Sequence, residues 1–196
     1  MRPLHVAWVV VAIAVAATAC GGESASDGED FFQVSASSVS LESLDEMAAA
    51  SEIVVIGTVT EVADGDLHEA PSGEDFIGTR DLAVSVDVEH VLKGEAEAGD
   101  TVTVPWIGYE IEADGSKGPQ IVINGQFPPD VGDRNVWFLG LGDGGTTFGL
   151  VAYAGRIEIT DDEKLLPFEV DSGAGEEVDG MTMAELQQEL DRTASG

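Results

Sequence analysis

The sequence has few basic residues. Eight lysines and arginines stand against 38 aspartates and glutamates in 196 residues, which gives a formal net charge of −30 at pH 7. Such a field repels phosphate backbones, so nucleic acid is excluded as a partner. Self-repulsion also destabilises the compact state unless salt screens it over roughly 8–10 Å. The acidity indicates either adaptation to a saline habitat, which we favour, or a surface that collects divalent or basic partners.

Long apolar runs are also lacking. The longest uncharged apolar run near the N-terminus covers residues 6–17, which is shorter than the ~20 residues that a transmembrane helix needs. Arg2 precedes this run and small residues follow it, which is the pattern of a secretory signal. We therefore predict a signal peptide over residues 1–19 rather than a membrane-spanning anchor.

Cys20 is the only cysteine, so a disulfide within one molecule is excluded. Residues 17–20, Ala-Thr-Ala-Cys, resemble a bacterial lipobox, at which a diacylglyceryl group is attached to the thiol and the chain is cut just before it. The resemblance implies lipidation of Cys20, membrane lipid as a partner, and a lipid-anchored position on the extracytoplasmic face of the cell membrane. The alternative is a lone thiol that is removed with the signal or left unpaired.

Glycine, serine and acidic residues dominate residues 20–38. This composition cannot bury enough apolar surface to offset its ordering entropy, so we predict a lipidated, flexible acidic tether. Phe31 and Phe32 are its bulky apolar pair. We expect the pair to dock on the protein's own domain, with docking on a partner as the alternative.

The strongest structural signal lies at residues 53–62, where β-branched residues fill most positions and Gly57 stands in the middle. This composition fits a pleated, largely buried surface, and it predicts the first and central strand of a small β-barrel. A glycine weakens a strand unless the chain must bend, bulge or let another backbone come close. We therefore expect Gly57 to mark such a point.

Further strands follow from alternating or continuous apolar patterns, and residues 63–79 and 108–120 are predicted to be loops. Pro105 lacks an amide proton, which predicts either that its strand lies at an edge of the sheet or that the proline lies at the end of the strand. The segment 135–141 is apolar almost throughout and is expected to be buried on both faces. The strands predicted after the first cover residues 82–92, 100–107, 121–123, 135–141, 147–152, 156–160 and 165–170.

Two helices flank the strands. One is predicted to start at Ser40 and to end near residues 50–52, and the other covers residues 182–192, with Thr182 and Glu185 as a capping box. The fold class that follows is mainly β, a barrel or curved sheet with one helix before the first strand and one C-terminal helix. We predict a single domain over residues 39–193.

Motifs for nucleophilic catalysis, zinc hydrolysis and phosphate binding are not found in the sequence, and we predict neither catalytic residues nor a cofactor. His68 and His90 are expected to be surface histidines. The weak metal candidates are Asp64, Asp66 and Glu69, because calcium takes oxygen ligands from flexible loops. A solvated, salt-adapted loop is the preferred interpretation of these acids.

Aromatic side chains on a barrel face can stack on sugars. Tyr109 follows a glycine in a predicted loop and is the first candidate for a ligand contact; Trp106 is the second, with core packing as its alternative role. Trp137 is expected to pack in the core.

Three segments carry a resemblance to known proteins: residues 50–62, 84–94 with the ending Leu-Lys-Gly, and 131–139 with Val-Gly-Asp before an apolar strand. They resemble small lipid-anchored extracytoplasmic proteins of Gram-positive bacteria. More distantly, they are similar to the OB-like barrel of netrin-type modules and of the tissue inhibitors of metalloproteinases. The resemblance implies an OB-like barrel and no activity, because the inhibitors act through an N-terminal cysteine in a disulfide-rich domain.

Three functions are compatible with the sequence. The first, which we favour over an enzyme, is a membrane-tethered extracytoplasmic binding module with a protein or glycan partner. The second is a carboxylate-based hydrolase acting on cell-envelope polymers, which requires a cleft with two carboxylates about 5–10 Å apart. The third is a calcium-binding or other cation-binding surface protein.

Overall fold

The computed structural model describes residues 31–34, 41–71, 76–142, 147–168 and 172–194. The strands are β1 (Phe31–Val34), β2 (Ile53–Glu69), β3 (Phe76–Lys93), β4 (Thr101–Glu112), β5 (Lys117–Ile123), β6 (Arg134–Leu141), β7 (Phe148–Leu150), β8 (Arg156–Ile159) and β9 (Leu165–Pro167). The helices are α1 (Leu44–Ala50), α2 (Gly173–Val178) and α3 (Met183–Ala194), with a 3-10 turn at Tyr153–Gly155.

The strands of the described residues form one mixed sheet in the order β1-β5-β4-β3-β2-β6-β8-β9, with β7 paired to β6. The prediction of a mainly β fold with a central strand from Ile53 is confirmed, but this strand is not the first, because β1 precedes it in the chain. All pairs are antiparallel except β1 with β5, which is parallel. The two ends of this order do not pair, so the sheet is not closed into the barrel that we predicted.

Pro105 lies inside β4, and β4 lies between β5 and β3, so the predicted edge or end position is wrong. The proline supplies a physical reason for the opening. It pairs with Ala83 of β3, and because it has no amide proton its empty donor position lies on the other side of β4. On that side, β5 pairs with β4 only near Tyr109 and Ile111 in the described residues. The sheet curls far enough to bring β7 against β4, but the described parts of these two strands are not joined by a ladder.

Both faces of the sheet are buried, because the sheet has one core on each side. On the outer face, Val54 and Ile56 of β2 pack with side chains of the three helices. On the inner face, Val55 and Val59 pack with residues of β3, β4 and β6. Burial on both faces explains why β2 begins as a continuous apolar run rather than an alternating one.

The strand β6 is buried on both faces from Asn135 to Leu139, as predicted. Trp137 is fully buried in the inner core, and its indole Nε1 donates to the carbonyl oxygen of Gly57 at 3.3 Å. The two predicted hairpins are also present, β6 with β7 and β8 with β9.

Gly57 lies at a close approach of β2 to β3. A Cβ atom at this position would lie 2.5 Å from Cγ1 of Val86 and 2.7 Å from the carbonyl oxygen of Asp87. The register between β2 and β3 shifts between Ile56 and Gly57, so the expectation of a bulge or close approach is confirmed.

A polar network joins β2, β3 and β6 next to this point. Glu89 accepts hydrogen bonds from the hydroxyl of Thr58 at 2.6 Å and from Nε of Arg134 at 2.8 Å, and Arg134 also contacts Glu163 at 3.0 Å. Partial burial acts to raise the pKa of Glu89, but the bonds from Thr58 and Arg134 outweigh it, and the pKa lies below its ordinary value.

The predicted loops are largely strands. β2 continues to Glu69 and β3 starts at Phe76, because cross-strand contacts hold this polar ribbon together. Arg80 donates to the carbonyl oxygen of Gly65 at 3.0 Å, and His68 contacts Asp81 at 2.7 Å. The second predicted loop, residues 108–120, contains the end of β4 and the start of β5.

The helices differ from the prediction in placement and in bounds. Among the described elements β1 precedes α1, so the prediction of a helix before the first strand is wrong, and two helices rather than one follow the last strand. Ser43, whose hydroxyl accepts from the amide of Glu46, caps α1; residues 41–43 are not helical, and the predicted start at Ser40 lies outside the described residues. The capping box of Thr182 and Glu185 is present at the start of α3. The short helix α2 was not predicted.

The predicted tether is partly ordered. Phe31–Val34 form β1 on the edge of β5, and Phe31 stacks on Phe127 with the ring centroids 5.5 Å apart. The expectation that the Phe31 and Phe32 segment docks on its own domain is confirmed. The signal peptide, Cys20 and the remainder of the tether lie outside the described residues.

We predict that Gly57→Val lowers the free energy of unfolding by about 3 kcal/mol, because the added side chain collides with the backbone of β3. Gly149→Ala is the matched control, since Gly149 is also in a strand but an added Cβ atom there would have nothing within 4 Å. Urea denaturation followed by tryptophan fluorescence measures both. Equal stability of the two variants would contradict the role given to Gly57.

Candidate functional site

A cleft of about 280 Å³ opens at one end of the inner face of the sheet. Its floor and sides come from β2 to β5, and the segment of residues 128–131 forms the remaining wall. The residues that line it are Val62, Asp64, Leu82, Tyr109, Lys117, Gln120, Pro128, Pro129, Asp130 and Val131.

Tyr109 is the central residue of the cleft. It is 6% exposed, and its hydroxyl donates to Oδ1 of Asp64 at 2.7 Å. Burial, and then the hydrogen bond and charge of Asp64, raise the pKa of Tyr109 above its ordinary value. The phenol therefore keeps its proton at neutral pH and orients the Asp64 carboxylate.

Lys117 adds a cation to the cleft. Its Nζ lies 4.5 Å from the centroid of the Tyr109 ring, which is the geometry of a cation–π contact. The sequence contains only three lysines, so a lysine held at this place is conspicuous in a chain of charge −30. The cleft thus combines an ammonium group with the carboxylates of Asp64 and Asp130.

The wall at residues 128–133 is fixed to β2. The amide of Gly132 donates to the carbonyl oxygen of Val59 at 2.8 Å. In return, the amide of Val59 donates to the carbonyl oxygen of Asp133 at 2.9 Å. Pro128 and Pro129 are buried, and proline restricts the backbone. Asp130 is therefore presented to the cleft from a rigid turn.

Arg156 supports the same wall from beneath. Its guanidinium lies between two aromatic rings, 4.7 Å from the centroid of Trp106 and 4.1 Å from that of Phe168, and its Nη1 donates to the carbonyl oxygen of Phe127 at 3.2 Å. Burial lowers the pKa of Arg156 to about 10, so the side chain remains charged at neutral pH.

The structure separates the two aromatic candidates. Tyr109 lines the cleft, whereas Trp106 is 6% exposed, packs in the inner core under Arg156, and is not among the residues lining the cleft. Trp137 is in the core, as expected.

The three acids proposed as metal candidates all lie on β2 rather than in a loop. All three are exposed, and Asp64 accepts a hydrogen bond from Tyr109. Over the ranges that the structure describes, no group of three or more His, Cys, Asp or Glu side chains is placed to hold a metal ion. His68 and His90 are exposed.

Lys117, Gln120 and Asp130 are cleft residues that the sequence analysis did not identify. They lie at the start of β5, within β5, and in a turn before β6, and the curl of the sheet alone brings them together. The rarity of lysine was the one available signal for Lys117.

A wider depression of about 470 Å³ lies beside α3, between Asp179 and Glu189. It is formed by exposed or half-exposed side chains, so its groups remain solvated. We take the Tyr109 cleft as the candidate site because it holds a buried tyrosine hydroxyl that is hydrogen-bonded to a carboxylate.

No protein-family model matches the chain, and no curated protein matches it either. In the part of the chain that the structure describes, none of the helices has the length and apolar character required to cross a membrane.

We predict that Tyr109 titrates above its ordinary pKa and that Asp64→Asn lowers this pKa, because the substitution removes the negative charge that opposes formation of the phenolate. The absorbance of tyrosinate at about 295 nm as a function of pH measures the change. The chain has two tyrosines, and the Tyr109→Phe variant identifies the step that belongs to Tyr109. An unchanged titration in Asp64→Asn would contradict the pairing.

Proposed function

We propose that this protein is a membrane-tethered binding module that acts outside the cytoplasm and takes its ligand in the Tyr109 cleft. The observation that carries the proposal is the cleft itself, in which a buried tyrosine orients a carboxylate at 2.7 Å and carries an ammonium group on its ring. Binding sites commonly combine apolar walls with a few such convergent polar groups.

The lipobox-like segment at Cys20 supports the membrane tether. Phe31 pairs with Gln120, which lines the cleft, so the tether joins the folded part next to the proposed site. The segment from Cys20 to Phe31 spans at most roughly 40 Å when fully extended. A ligand in the cleft would accordingly be held close to the outer face of the membrane.

The charges of the cleft favour a ligand with a cationic group and an apolar body, such as a basic side chain of a protein or an amino sugar of a glycan. Asp64 and Asp130 supply acceptors, and a carboxylate accepts several hydrogen bonds at once. The field of a chain with charge −30 attracts cations to the site. Lys117 and Gln120 supply donors for acceptor groups on the same ligand.

The likeness to OB-like netrin-type modules stays a proposal about the scaffold. The inner core of the curled sheet and the three resembling segments support it, and it transfers no inhibitory activity to any residue of this chain.

One observation favours a hydrolase as a second candidate: Asp64 and Asp130 line the same cleft, as an acid and base pair would. The test is whether the protein releases soluble fragments from purified cell-envelope polymer. Release by the unmodified chain that is lost in Asp64→Asn and also lost in Asp130→Asn would establish this function. Loss in neither variant would exclude these two carboxylates as the pair.

The binding function is tested by photo-crosslinking in intact cells. Val131 is 64% exposed at the rim of the cleft, and a photoreactive amino acid placed there should capture a defined partner. We predict that Asp64→Asn and Lys117→Ala each reduce this capture about tenfold, because each removes a charged contact. Asp66→Asn, an exposed acid on the same strand, should leave it unchanged.

Two controls complete the experiment. A photoreactive group at Leu166, which is 45% exposed on β9, should not capture the same partner. Cys20→Ala should release the protein from the membrane fraction without changing the cleft. Capture at Val131 that is insensitive to the cleft substitutions would contradict the proposed site.

A further inference from the structure

The strand β1 is unlike the rest of the sheet. It has four residues, lies outside β5 at the end of the sheet, and pairs in parallel, with Phe31 opposite Gln120 and Val34 opposite Ile123. Parallel pairing is slightly weaker per residue than antiparallel pairing. In addition, β1 is a short strand-favouring stretch, Phe-Phe-Gln-Val, within a segment otherwise rich in glycine, serine and acids.

The hydrogen bonds define which backbone groups of β1 face the sheet. The amide of Asn124 donates to the carbonyl oxygen of Val34 at 3.0 Å. In a parallel ladder, alternate residues of one strand direct both their N–H and C=O groups to the neighbour. Phe32 and Val34 therefore face β5, while the amides of Phe31 and Gln33 point away from it.

Burial is uneven across this pair of strands. On β5, Ile121, Val122 and Ile123 are all buried. On β1, the side chains of Phe31 and Phe32 are 54% and 40% exposed. The edge strand β5 is thus apolar and buried at residues 121–123, whereas the aromatic side chains of β1, which covers this edge, remain about half exposed.

Proteins that protect a sheet edge usually do so with charged residues, proline, bulges or a very short strand. β1 is short, but it presents two half-exposed phenylalanines, and Phe31 stacks on Phe127, which is itself 48% exposed. Clustered exposed aromatic residues are typical of interaction surfaces.

We propose that the edge of β5 is a binding site for an extended peptide and that Phe31–Val34 occupies this site in the free protein. The partner adds a strand parallel to β5, places an aromatic side chain against Phe127, and carries basic residues before this aromatic. The basic residues follow from charge: Glu29 and Asp30 precede Phe31 in the sequence of a chain whose net charge is −30, whereas basic residues in the corresponding positions of a partner would be attracted to such a chain.

This inference goes beyond the proposed function and depends on different groups. It requires the backbone edge of β5 and the ring of Phe127, whereas the proposed function requires the side chains of Asp64, Tyr109 and Lys117. The two proposals can therefore fail separately.

The test compares the full chain with two proline variants. Val34→Pro removes an amide that faces β5, so it releases the internal strand; Gln33→Pro is the matched control, because the amide of Gln33 points away and proline is tolerated at such an edge position. The probe is a fluorescent nine-residue peptide with the sequence of residues 28–36 carrying Glu29→Lys and Asp30→Lys. Fluorescence anisotropy measures its binding.

We expect the peptide to bind Val34→Pro about tenfold more tightly than the unmodified chain or Gln33→Pro, because an internal occupant reduces the fraction of open sites. Methylation of the peptide nitrogen at the Val34 position should abolish binding, and methylation at the Gln33 position should not. Equal affinity for all three chains, or an equal effect of the two methylations, would overturn the proposal.

A second variant covers the case in which Val34→Pro does not fold, which thermal melting shows. Phe31→Ala combined with Phe32→Ala weakens β1 through half-exposed side chains and should produce the same gain in affinity. If the released chains dimerise and do not bind the peptide, the occupant is a second copy and the peptide proposal is wrong. Asp64→Asn should leave the peptide affinity unchanged.

Discussion

The close approach of β2 to β3 at Gly57 is the constraint on which the rest of the structure depends. Residues 54–58 are the part of β2 that is paired on both sides, to β3 and to β6. Because a Cβ atom would lie 2.5 Å from Val86 here, only glycine allows both pairings to continue through this point. Alternate residues of this segment supply the two cores, so one local contact positions both layers.

The cleft follows from where β6 leaves β2. The pairing of these strands ends at Thr58, and from Val59 onward the turn at residues 132–133 takes the place of β6. The remainder of β2 continues with β3 alone, which frees Val62 and Asp64 to face the cleft. Asp130 lies just before this turn. The point at which the β2–β6 pair ends therefore positions two walls of the cleft, one from β2 and one from residues 128–131.

Sequence patterns predicted the elements whose residues are apolar on one or both faces. The start of β2, all of β6, the two hairpins and the capping box at Thr182 belong to this group, because local spacing encodes them. The last part of β2 and the first part of β3 were predicted as a loop instead, because acids such as Asp64, Asp66 and Glu69 among glycines are typical of loops. Only cross-strand contacts, such as that of Arg80 with the carbonyl oxygen of Gly65, reveal a strand there.

The candidate site was predictable in part for a related reason. Tyr109 was identified because it is an aromatic residue in a polar context, although it lies in a strand rather than a loop. Lys117 and Asp130 are ordinary surface residues in the sequence, and the curl of the sheet gives them their shared position. The closed barrel was expected from the number of strands, whereas in the described residues β5 pairs with β4 only near Tyr109 and Ile111 and β7 forms no ladder with β4.

The central claim is that a rigid curled sheet carries an edge strand that opens separately. Native-state hydrogen exchange tests it directly by comparing the amide of Asn124, which donates to Val34, with the amides of residues 54–58 in the middle of the sheet. The account predicts that Asn124 exchanges through a local opening far more frequent than global unfolding, while residues 54–58 exchange only when the whole sheet unfolds. Equal protection of the two sets would contradict it.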